Sequence, residues 1–172
     1  MSNGHTVEQF IQIVLLKNLR TLVYDCKLLY LAYGQIAVGI EFLGACHDQH
    51  PFDQLGQSGN RFRLGITEYL AKIDARYDQY NDKDSPYDLY RHLRCGMAHV
   101  FRPQGKVGMI GAGNAAESKV QHLEINQKHD KLILVAERFD DDFDKACGLL
   151  LKVLPTMQHP KLQSVFLPVN EV

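Results

Sequence analysis

The chain has 172 residues, of which 45% are hydrophobic and 23% charged, and its formal net charge is −1. That length fits a single domain, residues 1–172, with a core large enough to fold without disulfides or a structural metal. The near-neutral balance excludes a protein that coats nucleic acid by bulk charge, so any anion site is local. Cys26, Cys46, Cys95 and Cys147 show no CxxC pairing. They read as reduced thiols, and with a polar start over residues 1–5 and an apolar run over 10–16 too short for a membrane span, the expected location is the cytoplasm, with no membrane.

In chain order, Thr6 and Gln9 predict a capping box, in which each side chain satisfies the other's free backbone donor. Val7, Phe10, Ile11, Val14 and Leu15 then recur at helical spacing. Leu22, Cys26, Leu29, Tyr33, Ile36, Ile40 and Leu43 follow in steps of four and three, a seam of period near 3.5 that suits packed antiparallel or dimeric helices. Gly34, Gly39 and Gly44 weaken this helix by about 1 kcal/mol each relative to alanine; they fit either close approach of a second helix or a plain place in the core. Residues 47–60 read as a loop. Residues 62–73 read as a helix buried through Phe62, Ile66, Tyr69, Leu70 and Ile73.

Residues 76–84 are polar and read as a connector. Ser85-Pro86 predicts a helix start, with Asp88 in the first turn and a buried stripe of Tyr87, Tyr90, Leu93 and Met97. Arg102-Pro103 ends it. The glycine-rich stretch 104–118 reads as irregular. Residues 123–126 and 131–137 read as a β-hairpin. A last helix opens over 140–144 and runs to Pro155, and the tail from Thr156 reads as extended. The expectation is four or five helices with one small hairpin.

One segment carries a chemical signal. Residues 89–106 contain no acid, yet hold Arg91, Arg94, Arg102, Lys106, His92 and His99. Histidine moves protons near neutrality and arginine offers a planar fork to phosphate. These are the groups that cutting a phosphodiester requires. On an ideal helix, Arg94 and His99 differ by roughly 140° and share a face only if the arginine wraps or the helix frays near His99.

The spacing Arg94-x4-His99, late on a helix that follows a long helix pair, resembles the HEPN superfamily over about residues 6–102. The resemblance implies a mainly α, up-and-down helical bundle, with a hairpin, last helix and tail (about 119–172) outside it. It also implies a homodimer with both motifs in one cleft, acting as a metal-independent endoribonuclease without cofactor, of toxin or phage-defence type, with a cognate antitoxin as a partner. By this resemblance Arg94 stabilises the scissile phosphate and His99 acts as base or acid on a ribose 2′-hydroxyl. Arg91, His92, Cys95 and Arg102 are the expected substrate-binding neighbours. Cys95 stands where the family commonly has a polar residue, a departure that bears on activity more than on fold. The alternative is a non-catalytic helical dimer that binds a nucleotide, a nucleic acid or a protein.

Other signals are weaker. Residues 106–116 read as a strand followed by G-x-G-x-x-A, with Glu137 further on, but too little chain follows to complete a doubly wound sheet. Cys46, His47 and His50 lack the second ligand pair that a structural zinc needs. Asp25 or Glu41 could pair with a motif arginine.

Overall fold

The computed structural model describes residues 5–163. Its frame is helical. α1 covers residues 7–25, α2 Leu29–His47, α3 residues 58–73, α4 Arg76–Gln79 and α5 residues 89–100. Then come β1 (Val107–Ile110), α6 (Ala112–Ser118), β2 (Glu124–Asn126), β3 (Lys131–Val135) and α7 (Ala136–Val153). The chain is therefore mainly α with a small sheet, and has more helices than the four or five expected.

α1 opens on the predicted capping box: the Gln9 N–H donates to Thr6 Oγ1 at 3.2 Å and the Thr6 N–H to Gln9 Oε1 at 3.0 Å. Its buried residues, Val7, Ile11, Leu15, Leu19 and Val23, fall every fourth position. In a regular α-helix such a row drifts roughly 40° per step and would leave the core. The π-type turns over Phe10–Lys17 and Thr21–Asp25 reach one residue further back and wind less per residue, which keeps the row inward.

The predicted seam is not one helix. The chain reverses at residues 26–28, where Lys27 takes a left-handed φ of 54° and the Leu28 N–H reaches back to the Leu22 carbonyl at 2.7 Å. Cys26 is exposed, and Leu29 onward belongs to α2. By length and composition α2 could span a bilayer, but 56% of that window is buried inside the molecule. It is the central core helix. Gly44 and Gly65 allow its close crossing with α3, and Gly39 takes the Phe143 ring from α7.

Several boundaries in the helical frame differ from expectation. α3 begins at Ser58, four residues earlier than its apolar stripe suggests. Ser85-Pro86 forms a turn, the Tyr87 N–H donating to Ser85 Oγ, and Asp88 caps α5 by accepting the Tyr90 N–H at 3.1 Å. α4 occupies part of the expected connector, and its Tyr77 is fully buried.

The glycine-rich stretch is ordered. β1 runs parallel to β3 with Val107 opposite Leu132 and Ile110 opposite Val135. β2 runs antiparallel to β3 as the expected hairpin, giving the order β1-β3-β2. β3 stops at Val135, and α7 begins directly at Ala136, four residues before the expected start. The G-x-G-x-x-A segment thus makes a strand, a glycine turn and a helix, but the Ala112 N–H at that helix start is taken by the Glu137 carboxylate at 2.8 Å, and among the described residues the sheet has three strands. The tail carries short 3-10 turns at Leu154–Thr156 and Pro160–Gln163 instead of running extended; the rest of it, 164–172, lies outside the described residues.

Candidate active site on helix α5

α5 is fixed from both ends. Asp88 is 2% exposed and pairs with both ends of the Arg63 fork, at 2.8 and 3.1 Å. Leu89 and Leu93 are fully buried, and Gly96 lets the returning chain at Arg102 pass against the helix. The turns over Tyr90–Cys95 are again π-type, a feature that often accompanies functional sites.

Arg94 points to α2. Its Nε donates to Glu41 Oε2 at 2.6 Å, and Ser58 Oγ donates to the same oxygen at 2.9 Å. Each side chain of the Arg94–Glu41 pair is about one-fifth exposed. Among the described residues Arg94 is bonded through Nε alone, which leaves both Nη groups for a ligand. Glu41, one of the two acids considered from sequence, is the positioning partner; Asp25 lies at the end of α1 and makes no ion pair with the described residues.

His99 is exposed on the last turn of α5 and makes no side-chain hydrogen bond with the described residues. No bond joins it to Arg94. Arg91 and Arg102 are exposed, and Cys95 is half-buried. His92 is turned inward: its Nδ1 is buried without a partner, and a Cβ at Gly105 would meet the ring at 2.5 Å. Burial, then the charge of Arg91, hold its pKa below the ordinary histidine value. His92 therefore packs the chain that returns after α5, and the structure separates it from the exposed face that carries His99. Lys106, counted in the basic segment, pairs with Asp130 at 2.5 Å and lies over Tyr87.

Phe101, which no sequence signal marked, borders the site. With Leu31, Gly34, Gln35, Val38, Met97, Ala98 and Arg94 it lines a groove of about 410 Å³ between α2 and α5.

A second cavity, of about 540 Å³, lies at the carboxyl ends of β1 and β3, beside His122. The Val135 N–H donates to His122 Nδ1 at 2.9 Å, so the neutral ring carries its proton on Nε2. That proton goes to the Tyr77 hydroxyl at 2.9 Å, and Tyr77 donates to Asp142 Oδ2 at 3.0 Å. Burial, then the nearby Arg76 charge, push the His122 pKa down to about 4. Unfolded, the same ring protonates near 6.5, so between the two values the unfolded chain binds the extra proton and stability falls with falling pH. The loss amounts to about 3 kcal/mol at about 1.4 kcal/mol per unit. Asp142 opposes it toward the acid end of that window, since burial raises its pKa above 3.8 and protonation there favours the folded state. Urea unfolding of wild type should weaken steadily from pH 6.5 toward 4.5; His122→Gln should flatten that slope. An unchanged slope would contradict this role for the ring.

Among the described residues no group of three or more His, Cys, Asp or Glu side chains could hold a metal ion. No known protein family, curated protein or solved structure matches this chain.

Proposed function

We propose that the chain is a HEPN-like, metal-independent endoribonuclease of toxin or defence type, working as a homodimer with Arg94 and His99 at its centre. One observation carries the reading. The acid-free helix α5 presents an arginine that is oriented by Glu41 yet keeps its Nη groups open, and on its last turn an exposed histidine with no bond to the described residues. The helical frame, with the motif late on a helix packed against a long core helix, supports it further.

In the reaction, a His99 imidazole takes the proton of a ribose 2′-hydroxyl. The 2′-oxygen attacks phosphorus, and the 5′-oxygen leaves with a proton returned by an imidazole. Arg94 holds the charge that develops on the phosphoryl oxygens. Because one imidazole cannot serve as base and acid at the same instant, a dimeric cleft with two motifs supplies both. The products are a 2′,3′-cyclic phosphate and a 5′-hydroxyl. Incubation of the protein with mixed RNA in EDTA tests this: fragments ending in 2′,3′-cyclic phosphate are expected. Intact RNA, or cleavage only with added magnesium, would sink it.

The alternative, a non-catalytic helical dimer, is favoured by one feature. Arg94 already has a carboxylate partner and no bond to His99. Tight RNA binding without cleavage by the dimer would select it.

A further inference from the structure

Phe101 ends α5 with φ 56° and ψ 28°. This left-handed conformation disfavours any residue with a Cβ and usually falls to glycine or asparagine at a helix end. Leu123 adopts the same region, φ 59°, but buries its side chain to 2% exposure, so packing offsets its backbone cost. Phe101 is 63% exposed, so core packing does not offset its backbone cost. Its carbonyl accepts a hydrogen bond from the Tyr30 hydroxyl, and the Tyr30 ring lies 5.9 Å away, tilted by 41°. The chain thus holds a large ring out to solvent in a strained setting. Strain of this kind gathers at ligand sites.

The ring forms one wall of the groove beside Arg94. Leu31, Val38 and Met97 make the slot apolar, and Gly34 leaves its floor without a side chain. An aromatic wall in an apolar slot, with a guanidinium at its edge and an acid-free basic stretch around it, matches the two halves of a nucleotide. The base has a face to stack on, and the phosphate has a fork to meet. A second copy or a peptide would fill the apolar wall but bring no anion to the Arg94 edge, where Glu41 meets Nε alone, and would leave the exposed Arg91 and Arg102 without a counter-charge.

We infer that Phe101 is a stacking platform for the base next to the phosphate held by Arg94, so that the substrate is RNA unpaired at that step. The inference rests on the ribonuclease reading. A base within a duplex keeps both faces covered by its neighbours and cannot use this wall.

The test uses a short RNA whose riboses are 2′-O-methylated, so that it cannot be cut, with one 2-aminopurine as a stacking reporter. It is offered single-stranded or annealed to its complement, in EDTA. Wild type is expected to quench the reporter in the single strand and to bind the duplex about tenfold more weakly. Phe101→Leu should lose the quench and about tenfold in affinity, whereas Phe101→Tyr should keep both. Phe101→Gly should also lose the quench while its melting temperature holds or rises by about 2–4 °C, because the backbone strain is relieved. That combination separates a ligand role from a structural one.

If wild type binds RNA but Phe101→Leu quenches and binds as well as wild type, or the duplex binds equally, the platform is overturned while the RNA reading stands. If wild type binds no RNA, the reading itself fails and the platform with it. A wild-type dimer that Phe101→Leu splits into monomers, by light scattering, would assign the groove to a second copy and overturn the inference.

Discussion

Gly44→Ala is expected to lower the unfolding free energy by about 3 kcal/mol or more, the upper range for overpacking. A Cβ there would lie 1.8 Å from the Arg61 carbonyl oxygen and 2.6 Å from its carbon. The obstacle is backbone of α3, which cannot swing aside as a side-chain tip can. The relation is mutual, since a Cβ at Gly65 would meet the Ile40 carbonyl oxygen of α2 at 2.1 Å. α2 and α3 would therefore have to part, and with them the Glu41 and Ser58 pair that orients Arg94. Gly148→Ala is the control. That position lies within α7 with nothing within 4 Å of the added carbon, so the propensity difference should stabilise it by up to about 1 kcal/mol. Urea unfolding checks both. Near-equal stability of Gly44→Ala and wild type would refute the close crossing.

Arg61→Ala is expected to cost about 3–5 kcal/mol, because truncating one partner strands the other buried groups. Arg61 is 5% exposed. Its Nε donates to Asp48 at 2.6 Å, Nη1 to the Phe52 carbonyl at 2.8 Å and Nη2 to the Pro51 carbonyl at 2.6 Å. These bonds gather residues 48–52 onto α3. Lys161 closes the same knot from the tail through Asp48, the His50 carbonyl at 2.7 Å and the Phe52 ring. Arg61→Lys should recover part of the loss, since an ammonium keeps the charge but not the planar fork. Because the Arg61 backbone is also the contact of Gly44, the double variant should fall short of additivity. Thermal melting of the two single variants and the double variant measures this. A loss below about 1 kcal/mol in Arg61→Ala would show that these bonds add little.

The legible parts of the fold share one trait: their signals are local. The Thr6–Gln9 box, the stripe from Phe62 to Leu70, the β2–β3 hairpin and the last helix are each set by neighbours in sequence. The break at Lys27 was hidden because Cys26 and Leu29 continue the apolar spacing on either side of it, and neither glycine nor proline marks the reversal. β1 carries two readings in the sequence, an irregular glycine-rich stretch and a strand before G-x-G-x-x-A, because its pairing partner, β3, lies 25 positions further along the chain and nothing within Val107–Ile110 decides between them.

The candidate site divides in the same way. The cluster of Arg91, Arg94, His99 and Arg102 stands out as basic residues without acids nearby. Glu41 could only be guessed, because 53 residues separate it from Arg94. The inward turn of His92 depends on Gly105 folding back, which spacing on α5 does not foretell. Phe101 escaped notice because a phenylalanine gives no warning of a positive φ, and His122 because it stands alone in sequence while its partners come from α4, β3 and α7.

The most direct measurement compares RNA cleavage in EDTA by wild type, Arg94→Ala and His99→Ala, each shown by circular dichroism to be folded. Loss of the proton-moving imidazole should slow cleavage by about 10²–10⁴-fold, and loss of the charge-holding guanidinium by about 10²–10³-fold. His92→Ala, at the inward-facing histidine, should keep cleavage within a few-fold of wild type as long as it folds. Cleavage by folded Arg94→Ala and His99→Ala at the wild-type rate would contradict a ribonuclease centred on these residues.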